Sequence, residues 1–338
     1  MTVGQSLSLT SFADSSTPQT DSSISAVGAQ SNETSQSFVI DQTNRDAASY
    51  PDKGVSKTVN SDGKNDNAPK LTAGYDIDSP TFDLRNVNGK SYMTPVRSQA
   101  PFGTCWSFAT VAALESSILG AGLNGADGKT ADPNTLDLSE KQIAWFSAIP
   151  LNIPGHPQNG EGQYVKDYQN NAKGLTTFTN RGGNAVFSEY ALMQGIGPCH
   201  ESDDTQYEYH GDNATIVSRW IDGKMQMYSY SATDAWTISD DLRFKSDYSV
   251  KESHNLPKLG YVDEYGYYTY KEEGTKAIKQ ELLNLRAVQV AFWADTSQPS
   301  VESDGEYISS NWAHYTYLTT GTNHAVTMRW QAFHLQRH

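Results

Sequence analysis

This 338-residue chain has little of three things that commonly fix a protein's setting. It has 2 cysteines, Cys105 and Cys199, too few for a disulfide framework, so a packed core must supply its stability. A single bridge between them would consume both thiols. No run approaches the ~20 apolar residues of a membrane span. Positive charge is scarce: 25 Lys and Arg stand against 39 Asp and Glu, a formal net charge of -14 with a pI near 4.9 and no compensating basic cluster. That balance argues against nucleic acid or anionic lipid as partners and favours solubility. The opening residues Met1-Thr2-Val3-Gly4-Gln5-Ser6 lack the basic and apolar regions of a signal peptide. What the chain does have, 37% hydrophobic and 11% aromatic residues, suffices for one large domain or two ordinary ones. A mean hydropathy of -0.60 implies that part of it is not packed.

The unpacked part reads as residues 1–77. They are rich in Ser, Thr, Asn, Asp and Gln, with few large apolar residues and no sustained periodicity, which predicts a disordered leader or linker. The ordered domain is expected over 78–338. Within it, Trp106, Ala109, Ala112, Ala113 and Leu119 recur at helical spacing behind Thr104 as N-cap, and Gly120-Ala121-Gly122 is a stop signal. Ser139 followed by Gln142 has capping-box form. Further helices are predicted over Ala185 to Gln194 and Thr275 to Leu285. Strands are predicted over Tyr261 to Tyr270, Ala287 to Trp293, Tyr307 to Tyr317 and Asn323 to Met328. Helices first and strands later point to an α+β protein of two lobes.

The tract Gln99-Ala100-Pro101-Phe102-Gly103-Thr104-Cys105-Trp106-Ser107-Phe108 concentrates the chemistry. A Cys that attacks a carbonyl needs a lowered pKa and a place for the developing oxyanion. A helix N-terminus contributes to the first and a nearby donor amide to the second. Gln99 through Phe108, Leu138-Ser139-Glu140, Gly182-Gly183 and Asn323-His324-Ala325-Val326 occur in the order found in papain-like cysteine peptidases of the C1 family, and Phe82-Asp83-Leu84-Arg85 resembles the start of their mature domain. The resemblance is closest to the low-cysteine bacterial branch.

That resemblance implies a two-lobed papain-like fold, a helical lobe carrying the Cys and a β lobe carrying the His. It implies a cysteine endopeptidase working through a thioester acyl-enzyme on a polypeptide substrate, with no metal or cofactor. Cys105 would be the nucleophile, His324 the general base and acid, and Gln99 an oxyanion donor. Trp106 would pack beneath the site, Gly182 and Gly183 would let an extended substrate approach, and Ala325 would wall a substrate pocket. A monomer, exported or attached to the cell surface, is expected on the same ground. The alternative expectation is a catalytically impaired papain-fold module used for binding or surface adhesion.

Two other features compete for attention. His254 meets the ~130–150-residue Cys-to-His spacing better than His324 does, but its surroundings, Lys251 to Pro257, have a loop's composition, so it reads as a surface histidine. Cys199-His200-Glu201-Ser202-Asp203-Asp204 lacks metal-ligand spacing and reads as a solvated loop.

The resemblance breaks at the end. The family orients its His with a downstream Asn, and no Asn follows Asn323. Residues 329–338 turn basic and non-periodic, as in a truncated or frame-shifted sequence that leaves the β lobe incomplete. Reading the DNA downstream in all frames is therefore expected to reveal an Asn-Ser-Trp-like tract; its absence from every frame would refute this.

Overall fold

The computed structural model describes residues 35–45, 55–58, 74–157, 159–160, 182–209, 214–221, 224–232, 237–265, 268–292 and 322–328. One helix lies at its centre. Helix α1, Cys105–Ala121, mixes Ala, Ser and Thr with large apolar side chains and is buried at most positions from Trp106 to Leu119. A helix covered on nearly all sides can carry small hydroxyls only if each finds a partner. Here Ser107 Oγ donates to Glu140 O at 2.6 Å, Ser117 Oγ donates to Phe38 O at 2.9 Å, and Ser116 Oγ accepts the Ala287 N–H at 3.1 Å. Gly122 follows the helix at φ 66, where the sequence predicted its stop.

Three further α-helices lie among the described residues. Helix α2, Glu140–Ala148, begins at Ser139, whose hydroxyl accepts the Gln142 N–H as the capping pattern predicted. Helix α3, Ala185–Met193, is capped by Asn184. Helix α4, Glu272–Leu283, starts a little earlier than its apolar periodicity suggested.

The sheet explains how the chain closes around α1. Strands β1 (Gln36–Arg45), β2 (Val55–Thr58), β5 (Ser246–Asn255), β8 (Val288–Phe292) and β9 (His324–Met328) form one five-stranded sheet in the order β2-β5-β1-β8-β9. All pairings are antiparallel except β2 with β5. Two hairpins stand apart, β3 (Ala214–Ile221) with β4 (Lys224–Ala232), and β6 (Gly260–Val262) with β7 (Tyr268–Tyr270). The predicted strand over Tyr261 to Tyr270 is thus a hairpin, folded back at the polar residues between its arms. The expected α+β architecture, consistent with a papain-like fold, is what the chain adopts.

Three expectations need correction. The leader reading fails for two segments, because residues 36–45 and 55–58 are strands, and β1 occupies the middle of the sheet. Strands therefore precede the helices as well as follow them. Composition missed β1 because its buried residues include polar ones that bond across the fold. Gln36 Nε2 donates to Glu189 Oε2 at 2.9 Å and Asn255 Oδ1 at 2.8 Å, and Ser37 Oγ donates to Glu281 Oε2 at 2.7 Å. With Phe38 fully buried and Ile40 in the core, these bonds offset the entropy that a count of apolar residues would leave unmatched.

His254 is likewise no surface residue. It is buried in β5, with Nε2 3.0 Å from Glu252 and Nδ1 3.5 Å from Glu281. Burial opposes the charged ring, yet Glu281 and Glu252 outweigh it and raise the pKa. Burial also works against Glu281, but His254 and Arg286, whose Nε lies 2.7 Å away, bring it down to about 2. The strand predicted over Asn323 to Met328 runs from His324 to Met328 and, although its run is apolar, is partly exposed, last in the sheet among the described residues. Trp293, Tyr307 to Tyr317 and 329–338 lie outside the described residues.

Phe38→Ala should destabilise the protein by roughly 3–5 kcal/mol, the cost of a large buried aromatic. Denaturant titration would show this. An unchanged midpoint would mean that β1 is not part of the cooperative fold.

Candidate active site

Cys105 is the first residue of α1 and is half-buried. The loop before it is held from two directions. Inside the loop, the Gln99 side-chain amide donates to Phe102 O at 2.9 Å, and the Phe102 N–H donates to Gln99 O at 3.1 Å. From outside, the Tyr209 hydroxyl donates to Gln99 O at 2.5 Å. Because that proton is committed, the 2.8 Å contact between Thr104 Oγ1 and the Tyr209 oxygen has Thr104 as donor. Thr104 precedes the helix as predicted, but its side chain makes no capping bond, because Tyr209 engages it instead.

His324 comes to the same end of α1. The direction of β8 follows from its contacts: Ala287 bonds Ser116 in the C-terminal half of α1, while Gln289 reaches Thr110 Oγ1 at 2.7 Å and Trp106 O at 3.3 Å. Strand β8 thus runs toward the N-terminus of α1, and antiparallel β9 runs back. In β9, Thr327 Oγ1 donates to Ala109 O at 2.8 Å. His324 lies three residues before Thr327, about 10 Å along a strand. Cys105 lies four before Ala109, about 6 Å along a helix. The thiol and the imidazole therefore occupy the same edge of the α1–sheet interface. The His324 ring packs edge-on to Phe292, its register partner, at 5.8 Å between centroids. Burial lowers its pKa, favouring the neutral ring that can take up a proton. Ala325 follows, paired with Ala291.

Trp106 and the glycine pair also meet. The Trp106 indole is buried, packs edge-on to Phe187 at 5.8 Å, and lies so close to Gly183 that a Cβ there would sit 2.5 Å from its ring nitrogen. Gly183 is therefore required by the indole, independently of any substrate. Gly182 differs: its φ is +67 and a Cβ would meet nothing within 4 Å, so it is required by its backbone conformation and borders open space. Sequence order suggested that the pair belongs with Cys105, and the contact to Trp106 supplies the physical link.

A charge network centred on Arg97 links α1 to α2. Arg97 Nη1 is 2.7 Å from Glu115 Oε1 on α1 and 3.4 Å from Glu140 Oε1 on α2, while Nη2 donates to Leu136 O at 2.8 Å. The Glu115 carboxylate also accepts from Thr94 Oγ1 and from the Leu138 N–H at 2.9 Å. Burial pushes Glu115 upward, and burial together with Glu115 pushes Glu140 up to about 8. Near neutral pH, Glu140 is thus largely protonated, and Arg97 Nη2 also lies 3.0 Å from Asp137 Oδ1.

Cys199 presents the opposite environment from Cys105. Neither cysteine is in a disulfide, but Cys199 is buried rather than in a solvated loop, and its thiol donates to Lys245 O at 2.9 Å. Burial and the neighbouring Asp247 push it up to about 12, leaving no thiolate at neutral pH. Its sulfur and the carboxylates of Asp203 and Asp247 lie within 4.8 Å of one another. These donors are already engaged: Asp247 Oδ2 accepts the His200 N–H at 2.9 Å and lies 2.8 Å from His200 Nδ1. The cluster therefore joins the His200 segment to β5.

Sequence reasoning missed Tyr209, Gln289 and Thr327, which hold the loop and β9 against α1. Each acts across more than a hundred residues of chain, so no local pattern could reveal it.

Residues 78–143 match the family model described as papain family cysteine protease. The chain is also similar to chymomexicain of Jacaratia mexicana, 24% identical over 181 residues that cover 51% of this chain and 74% of that protein. No helix among the described residues is long and apolar enough to cross a membrane.

The raised Glu140 fixes the sign of a pH effect. Its folded pKa, about 8, exceeds the ordinary carboxylate value of 4.5, so its contribution is complete below 4.5 and lost as pH rises through 8. Stability should fall across that window by up to about 1.4 kcal/mol per pH unit from this proton. Glu140→Gln should flatten the profile and be the more stable form at alkaline pH. Equal slopes in denaturant titrations of both proteins would refute the assignment.

Proposed function

Starting from a chain that is a papain-like cysteine-type peptidase, we propose that Cys105 and His324 form its catalytic pair and Gln99 its oxyanion donor. The observation carrying this reading is the convergence at one end of α1. Cys105 begins the helix, the Gln99 loop precedes it, and the register of β8 and β9 brings His324 alongside.

The chemistry then follows in two halves. His324 takes the thiol proton, and the Cys105 sulfur attacks the scissile carbonyl carbon, forming a C–S bond as the carbonyl π pair moves onto oxygen. The Gln99 amide and the Cys105 N–H at the helix N-terminus stabilise that charge. Collapse of the intermediate breaks the C–N bond, and His324 protonates the departing amine, leaving a thioester. Water, deprotonated by His324, attacks the thioester, and the acid departs as the thiolate re-forms. Gly182, beside open space, and Ala325, next to the His, would border the bound polypeptide, while Trp106 supports the thiol from below. An extracellular or surface-attached monomer is the proposed setting, on the strength of the sequence resemblance.

A haloacetamide probe should label Cys105 in the native protein and leave Cys199 unlabelled. Cys105→Ala should abolish both labelling and peptide hydrolysis. Under reducing conditions, absence of labelling at Cys105 would overturn the proposal, and so would hydrolysis that survives the substitution.

A further inference from the structure

Both ends of the loop before Cys105 depend on Tyr209. Its hydroxyl spans the loop's base, donating to Gln99 O at 2.5 Å and accepting from Thr104 Oγ1 at 2.8 Å. Its ring is fixed between Phe102, edge-on at 6.2 Å, and Phe108, edge-on at 4.9 Å. Its N–H donates to Glu201 Oε1 at 2.6 Å.

The segment that carries Tyr209 is anchored in turn on the start of α2. The Ser139 N–H donates to Cys199 O at 3.0 Å, Ser139 Oγ donates to Tyr207 O at 2.7 Å, and buried Lys141 donates through Nζ to Gln206 O at 2.6 Å. A phenol locked at ring, backbone and hydroxyl is a rigid support, unlike a loop held only by its own bonds.

Resting on the oxyanion role proposed for Gln99, we infer that Tyr209 is a positioning residue of the oxyanion site, its hydroxyl tying Gln99 to Thr104 across the loop that ends at Cys105. The hydroxyl sets two things together. Through Gln99 O it fixes the backbone from which the donor amide projects. Through Thr104 Oγ1 it holds the residue immediately before the Cys105 N–H. Both donors must sit within tenths of an ångström of the developing oxyanion, so a loosened loop costs transition-state binding more than substrate binding.

The test uses the full chain and a fluorogenic peptide. Tyr209→Phe keeps the ring packing and removes only the hydroxyl. It should lower kcat roughly 10-fold while KM stays within about 2-fold, a loss typical of misplaced donors. Haloacetamide alkylation of Cys105 forms no oxyanion, so its rate should match the parent's. Thr104→Val, which removes the other hydroxyl, should show the same pattern more weakly and serves if Tyr209→Phe does not fold. Unchanged kcat in both variants would overturn the inference, as would kcat and alkylation falling together, which marks general disruption. A parent protein that is alkylated but hydrolyses no peptide would instead overturn the peptidase reading on which the inference rests.

Discussion

A half-buried guanidinium set against a buried helix carboxylate holds the reactive end of this protein in place. Arg97, eight residues before the thiol, pairs with Glu115 in the middle of α1 and at once reaches Leu136 and Glu140 at the start of α2. Burying such a pair is costly unless every oxygen and N–H finds a partner. Glu115 meets that condition with three donors: Arg97, Thr94 and the Leu138 N–H. The segment leading to Cys105, α1 and the α2 turn are thereby joined at one point. The loop that presents Gln99 and Cys105 hangs between this point and Tyr209. Losing one partner would leave a buried charge uncompensated, so the network constrains all three segments together.

The interior carries more carboxylates than its acidic surface would suggest, and each is accommodated differently. Glu281 stays ionised because His254 and Arg286 face it. Glu140 remains largely protonated near neutral pH because burial and the neighbouring Glu115 push it up to about 8. Nearer the surface, Asp203 and half-buried Asp247 divide the burden: partial burial and Asp247 raise Asp203 to about 7, while bonds from His200 hold Asp247 low despite its own burial. In each case the neighbours' charges decide the outcome as much as burial does.

Much of the site was legible because its signals are local. The Cys at a helix start, the Ser139 cap, the glycine stop and the apolar run headed by His324 each follow from a few adjacent residues. What escaped reading was long-range and polar. Strand β5 looked like a loop around His254 because buried Ser253 and His254 break the apolar alternation, and the suitability of His254 depends on Glu252 and Glu281. The Cys199 segment looked solvated for the same reason, its polar side chains being satisfied by Gln142, Lys245 and Asp247. Strand β1 was lost among residues of nearly identical composition, distinguished only by what it meets.

The position of β1 in the sheet has a consequence for how the chain is made. It leaves the ribosome before any of its sheet partners, yet Gln36 bonds Asn255 across 219 residues of sequence and aligns with Gln289 beyond that. At ~5–20 residues per second, translation leaves this strand unpaired for ten seconds or more. During that interval its Phe38 and Ile40 have no sheet to join. A sheet whose middle strand is synthesised before its partners cannot grow outward as the chain emerges; it must close around a waiting segment, which stays exposed until the last partners arrive.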